Sequence, residues 1–179
     1  MGNFAFLKSK TEYSGFAGAC ITAENNCKNS PESCVSSTRS ALESAVKWVY
    51  ANDSGLSYPK SKAVGKDLFA RMDNPSFSRI VPKKLLSKIH IIRRMGNDVL
   101  HKNRSVSRDE AIKCLMYLFD FIQWIDKRYG RDYIQRDFDM DDVPNSPSML
   151  QQAGKYAAAI AVGIGIATLG KKLTDDRMF

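Results

Sequence analysis

The segment from Lys83 to Arg104 combines residue types that can carry out chemistry on one side of a helix. At helical spacing, four polar or basic residues fall on a common face, namely His90, Arg94, Asn97 and His101. Apolar residues line a different face, namely Leu85, Ile89, Ile92 and Val99. An arginine can hold a phosphate through two hydrogen bonds, and a histidine, which titrates near neutrality, can move a proton. The pair therefore suits cleavage of RNA without a metal ion, although the same residue types are also ordinary on a solvated helix surface.

The charge of the chain is unevenly distributed. Residues 1–131 carry 22 Lys and Arg against 12 Asp and Glu, a net charge of +10, whereas residues 132–179 carry 5 against 7, a net charge of −2. A domain with a net charge of +10 attracts polyanions such as nucleic acids. We therefore expect nucleic-acid contacts from the cations around the polar helix face, namely Lys83, Lys84, Lys88, Arg93, Lys102 and Arg104.

The hydrophobic pattern predicts an all-α bundle over residues 1–131. Its expected helices are one or two over 4–29, one over 32–51, a short one near 65–72, one over 83–101 and a last one that ends at Gly130. A loop is expected at residues 73–76, and Gly96 is expected to kink or interrupt its helix. Ser107 and Glu110 have the spacing of a capping box that opens the last helix. Arg39 and Glu43 are spaced as an i,i+4 pair with a structural role.

Beyond the bundle, the aspartate-rich stretch 132–142 and the prolines behind it predict a linker over 132–147. Residues 148–179 are then expected to form an apolar C-terminal helix. Its uncharged segment, 156–170, is 15 residues long, so as a helix it would span about 22 Å, against about 30 Å for the hydrocarbon core of a bilayer. Small residues recur along it at Ala159, Gly163 and Ala167, a spacing that lets helices approach closely. The segment is expected either to enter a membrane or to pack between protomers or onto a partner protein.

The four cysteines, Cys20, Cys27, Cys34 and Cys114, form no Cys-x-x-Cys pair and no zinc-like cluster with histidine. We expect them to be reduced thiols in the core, and we expect neither a metal nor a cofactor. The N-terminus lacks a secretory hydrophobic region with a cleavage site. A cytoplasmic location is therefore expected, with membrane association through 156–170 as the open alternative.

Two segments carry a resemblance to a known family. They are Arg39-Ser-Ala-Leu-Glu43 and, above all, the run from Lys88 to His101, KIHIIRRMGNDVLH. Weaker matches support them at Tyr13, Ala23-Glu24, Pro31 and Asp109-Glu110-Ala111. Over about residues 4–130, the chain resembles the small helical domain found at the N-terminus of type I restriction endonuclease R subunits and as stand-alone proteins, within the HEPN superfamily.

The resemblance implies a helical bundle that commonly dimerises and that belongs to prokaryotic defence or toxin systems. Active members cleave RNA without metal through an Arg-x(4–6)-His motif. Carried onto this chain, Arg94 would bind the scissile phosphate, His101 would act as general base or acid, and Asn97 would orient one of them. The chain departs from the active pattern because six residues, the upper limit, separate Arg94 from His101, and because Met95 replaces the usual polar residue after the arginine.

Two functions follow as hypotheses. In the first, the protein is a prokaryotic defence or toxin effector that acts as a dimeric, metal-independent RNase or as an RNA-binding protein. In the second, it is a non-catalytic helical interaction module, and the bundle docks a partner protein of a defence system or a nucleic acid. The C-terminal helix would then assemble the complex as a homo-oligomer or anchor it at a membrane. The placement of Arg94 and His101 in the fold discriminates between the two.

Overall fold

The computed structural model describes residues 2–58, 67–102 and 104–144. Two short 3₁₀ helices, Ala5–Ser9 and Thr11–Tyr13, come first, and they are followed by α1 (Ser14–Asn26), α2 (Pro31–Asn52), α3 (Leu68–Met72), α4 (Pro75–Ile80), α5 (Lys83–Lys102) and α6 (Arg108–Tyr129). No strand occurs within these residues. The predicted all-α class is therefore confirmed for the described part of the chain.

Helix α2 is the central element, since it packs against α1, α5 and α6. Its apolar residues recur at three- and four-residue steps, which places them on adjoining faces of the helix. The five residues predicted to form this ladder are all fully buried, namely Val35, Leu42, Ala45, Val46 and Val49.

Helix α5 positions the polar residues of interest because its opposite side is anchored in the core. Leu85, Ile89 and Ile92 are buried, and Val99 packs partly against the same core. The helix runs without interruption through Gly96, so the predicted break is wrong. Gly96 is buried, and a β-carbon there would lie 2.5 Å from Cβ of Arg39 on α2. The glycine thus serves the close approach of two helices.

Helix α6 begins with the predicted capping box. The Ser107 hydroxyl accepts a hydrogen bond from the Glu110 amide at 3.2 Å, and the Glu110 carboxylate accepts one from the Ser107 amide at 3.0 Å. Six predicted apolar positions along α6 are all buried, namely Ala111, Leu115, Leu118, Phe119, Ile122 and Ile125.

The predicted loop at 73–76 instead contains the start of a short helix, α4. Asn74 caps it, since its side-chain oxygen accepts a hydrogen bond from the Ser76 amide at 2.9 Å. Pro75 occupies the first helical position, where the missing N–H has no helical partner to lose.

The acidic segment after α6 packs on the bundle over residues 132–144, which differs from the linker expected there. Asn3 and Asp139 exchange two hydrogen bonds, of 2.9 and 2.7 Å. The Phe138 ring lies 5.6 Å from that of Phe119, and Val143 is only 1 % exposed. Phe138 and Val143 thus pack against the bundle, whereas Ile134, Met140 and most of the aspartates are exposed, so the acidic composition did not reveal that part of the segment is packed.

The compact unit extends over Met1–Asn145. The predicted C-terminal helix over 148–179, with Ala159, Gly163 and Ala167, lies outside the described residues. Among the helices that are described, none combines the length and the apolar character needed to cross a membrane. The four cysteines are free and buried, as predicted.

Candidate functional site on helix α5

The three predicted catalytic residues, Arg94, Asn97 and His101, line one open groove along α5 of about 430 Å³. Steps of three and four residues place them on the same side of the helix. Arg94 and His101 are both exposed, and they are seven positions apart, which corresponds to about 10.5 Å along the helix axis. The groove is completed by Arg93, Asp98 and Lys102.

Arg94 and His101 are available to a ligand. Within residues 2–58, 67–102 and 104–144, neither side chain makes a hydrogen bond or an ion pair. Asp98, which also lines the groove, pairs with Lys102 at 2.8 Å. The hydrogen bond from Lys102 holds the pKa of Asp98 below its usual range, with the charges of Lys102, Arg104 and Arg94 acting in the same direction. The carboxylate is therefore ionised and offset by a cation, and the groove presents an excess of positive groups.

Asn97 is held from outside its own helix. Arg39 on α2 donates a hydrogen bond from Nε to Oδ1 of Asn97 at 2.7 Å. The predicted i,i+4 pairing is also present, since Arg39 Nη1 lies 3.7 Å from the Glu43 carboxylate, which in turn binds Lys47 at 2.7 Å. Sequence reasoning assigned Arg39 only this second contact and so missed its place beside the groove. The sequence feature that could have indicated this contact is Gly96, a glycine inside a helix directly before Asn97, because such a glycine often marks a close approach by another element.

His90 does not share the groove, although its spacing placed it on the same face. Its ring lies edge-on to Phe69 of α3, with centroids 6.0 Å apart, and the Arg93 guanidinium lies 4.9 Å from the centre of that Phe69 ring. Burial lowers the pKa of His90, and the charge of Arg93 lowers it further. The contact between His90 and Phe69 therefore separates His90 from the other three residues of the predicted polar face, which line the groove.

The cations predicted to bind nucleic acid do not form one uniform surface. Lys83 and Lys84 are exposed at the start of α5. Lys88 pairs with Asp120 at 2.5 Å, Lys102 pairs with Asp98, and Arg104 pairs with Glu110. Arg93 stacks on Phe69 while also lining the groove. Three of the six cations are thus engaged by carboxylates of the same chain, which reduces the charge they offer to a polyanion.

Neither the groove nor its surroundings offers a ligand set for a metal. In the described part of the chain, no three His, Cys, Asp or Glu side chains lie close enough together to hold an ion. The side chains that line the groove carry guanidinium, imidazole, ammonium and amide groups and one carboxylate, that of Asp98.

Comparison with protein-family models matches residues 22–131 to a domain of unknown function, DUF4145. No curated protein and no solved structure matches the chain. The matched region contains α2 to α6 and all residues that line the α5 groove. Because the match covers more than half of the 179 residues, the chain belongs to the DUF4145 family.

Proposed function

We propose that the α5 groove is the active site of a dimeric, metal-independent endoribonuclease of a prokaryotic defence or toxin system. The observation that carries the proposal is the presence of Arg94 and His101, both exposed and both without an intramolecular partner among the described residues, along one positively charged groove. The resemblance of the Lys88–His101 segment to HEPN domains supports the same assignment.

In this proposal, the 2′-oxygen of RNA forms a bond to phosphorus and the bond from phosphorus to the 5′-oxygen breaks, which leaves a 2′,3′-cyclic phosphate. His101 takes the proton from the 2′-hydroxyl or gives a proton to the leaving 5′-oxygen. Arg94 offsets the negative charge that develops on the non-bridging oxygens. One imidazole cannot accept and donate at the same moment, so a two-fold dimer that joins two grooves would supply both groups. This requirement is the chemical argument for a homodimer.

A second candidate function is a non-catalytic module that binds RNA or a partner protein through the same surface. Its protein-binding form is favoured by the intramolecular pairing of Lys88, Lys102 and Arg104, since these partly neutralised cations offer less charge to a polyanion such as RNA. In this candidate, the C-terminal segment assembles a homo-oligomer or anchors it at a membrane through Ala159, Gly163 and Ala167, which lie outside the described residues.

Cleavage of labelled single-stranded RNAs by the purified full-length chain tests the proposal. Arg94→Ala and His101→Ala should each lower the cleavage rate by about 100-fold or more, because one removes phosphate binding and the other proton transfer. Arg79→Ala, which removes an exposed arginine of α4 away from the groove, should cleave like the unchanged protein. All four proteins should have the same melting temperature, since Arg79, Arg94 and His101 are all exposed.

Equal cleavage by the unchanged protein and His101→Ala would show that the groove is not the active site. If neither protein cleaves any RNA, but the unchanged protein binds RNA with an affinity that falls steeply with salt, the second candidate function is favoured.

A further inference from the structure

Arg39 of α2 contacts α5 at two adjoining positions. Its Nε donates to Asn97 Oδ1 at 2.7 Å, and its aliphatic chain lies against Gly96, where a β-carbon would come within 2.5 Å of both Cβ and Cδ of Arg39. The Arg39 side chain is only 21 % exposed. The arginine therefore lies flat across α5, and the absence of a side chain at Gly96 makes room for it.

The chemistry of these two side chains determines the orientation of the Asn97 amide. A guanidinium group only donates hydrogen bonds, so the atom of Asn97 that faces Arg39 must be the acceptor, Oδ1. The Nδ2 group of Asn97 has no hydrogen-bond partner among the described residues. Because Asn97 lines the groove and its oxygen already accepts from Arg39, the part of the amide that has no partner among the described residues is the Nδ2 donor.

Most of the other groups of the groove are also donors, and the His101 imidazole can either donate or accept. Arg93, Arg94 and Lys102 only donate hydrogen bonds, and the carboxylate of Asp98 is paired with Lys102. A ligand that meets these groups must itself supply acceptors and negative charge. The non-bridging oxygens of a phosphodiester supply both.

We infer that Arg39 is a positioning residue of the α5 groove. Arg39 holds the amide of Asn97 so that the N–H donors of Asn97 are available to a phosphodiester oxygen. The inference rests on the proposed function, because it takes the phosphodiester to be that of single-stranded RNA. It assigns Asn97 to direct phosphate binding, and it assigns Arg39 an effect that is transmitted through Asn97.

The test follows the side-chain amide signal of Asn97 in the ¹⁵N-labelled full-length chain, assigned by its loss in Asn97→Asp. The probe is a single-stranded oligodeoxyribonucleotide, which has phosphodiesters but no 2′-hydroxyl and therefore is not cleaved. Adding it should shift the Asn97 amide signal of the unchanged protein until the groove is saturated. Asn97→Asp still accepts a hydrogen bond from Arg39 but offers a negative charge instead of a donor, so its affinity should fall by about tenfold or more.

Three variants distinguish positioning from a general structural role. Arg39→Met keeps an aliphatic chain against Gly96 but cannot donate, so affinity should fall by about tenfold and the Asn97 amide should respond weakly to the probe. Arg39→Lys restores a donor and should recover much of that affinity. Lys47→Met removes the other partner of Glu43 and should leave binding unchanged. Asn97→Asp keeps the inference testable even if Arg39→Met folds poorly.

The outcomes separate this inference from the proposed function. If the amide of Asn97 does not respond to the bound probe, or if Arg39→Met and Asn97→Asp bind as the unchanged protein does, the inference is overturned even where RNA is cleaved. If the amide responds as expected but no RNA is cleaved, the ribonuclease proposal fails and the phosphodiester-binding role of the groove stands. If the unchanged protein binds no probe and cleaves no RNA, both are overturned.

Discussion

At the scale of single residues, the two histidines of α5 meet different surroundings. His101 is exposed in the groove, whereas His90 is half-buried against the Phe69 ring. Burial is the largest cause that lowers the pKa of His90, and the charges of Arg93 and Arg94 act in the same direction, while Asp73 opposes them. The pKa of His90 therefore lies below the ordinary value for histidine.

This difference predicts a specific acid sensitivity. Because the pKa of His90 is lower in the folded chain than the ordinary value of 6.5, protonation favours the unfolded chain. Stability is therefore lost as the pH falls below about 6.5. His90→Phe keeps an aromatic ring against Phe69 but has no group that can be protonated at this position. Its free energy of unfolding should therefore decrease less between pH 7.5 and 5 than that of the unchanged protein.

Urea denaturation at the two pH values measures the effect, and His101→Phe serves as the control at an exposed site. Parallel losses of stability in His90→Phe and in the unchanged protein would contradict the assignment of the pH effect to His90.

At the scale of elements, two glycines within helices have opposite surroundings. Gly18 is exposed on α1, and a β-carbon there would meet nothing within 4 Å. Gly96 is buried in α5, and a β-carbon there would lie 2.5 Å from Arg39 on α2. The first glycine only weakens its helix, whereas the second permits the contact that brings Arg39 to Asn97.

Alanine substitutions should therefore have opposite signs. Gly18→Ala should stabilise the protein by about 0.5–1 kcal/mol, because alanine is the better helix former. Gly96→Ala should destabilise it by about 1–3 kcal/mol through overpacking, which outweighs the same gain in helix propensity. It should also weaken oligonucleotide binding, since Arg39 must move. Urea denaturation measures the free energy of unfolding of both variants. Equal stabilisation by the two substitutions would show that the Arg39 side chain can shift without loss of stability.

At the scale of the whole described unit, one buried carboxylate joins distant parts of the chain. Asp126 of α6 is fully buried and accepts hydrogen bonds from Lys10 at 2.5 Å and from the Tyr13 hydroxyl at 3.1 Å. Arg136, in the acidic segment after α6, lies 3.6 Å from its other oxygen. A buried charge requires such partners, so the N-terminal 3₁₀ region and the segment 132–144 are held at one point of the bundle.

The segment 132–144 should therefore contribute to stability. A chain that ends at residue 131 should unfold with a free energy lower by at least about 2 kcal/mol than one that ends at 145, since burial of Val143 alone is worth about that much. Val143→Asp in the full-length chain should have an effect of the same sign, and Asp137→Ser, at an exposed position, should have little effect. Equal unfolding midpoints for the two shortened chains would mean that the segment behaves as the linker that its composition suggests.

The sequence alone determined which segments form the long helices and which of their faces are buried. The ladders of α2 and α6 and the capping box of Ser107 and Glu110 could be predicted because they depend on residues three or four positions apart. The same spacing correctly placed Arg94, Asn97 and His101 on one face of α5. Local periodicity was sufficient because each of these features lies within a single helix.

Tertiary structure alone decided the contacts between elements. The hydrogen bond from Arg39 to Asn97 joins residues 58 positions apart, and the bonds between Asn3 and Asp139 join residues 136 apart. No local pattern encodes such pairs, because they depend on how α2 crosses α5 and on how the acidic segment folds back. The contact of His90 with Phe69 likewise required the position of α3. The sequence therefore determined which residues α5 presents on its polar side, and the packing of α2 and α3 against it decided which of them share a groove.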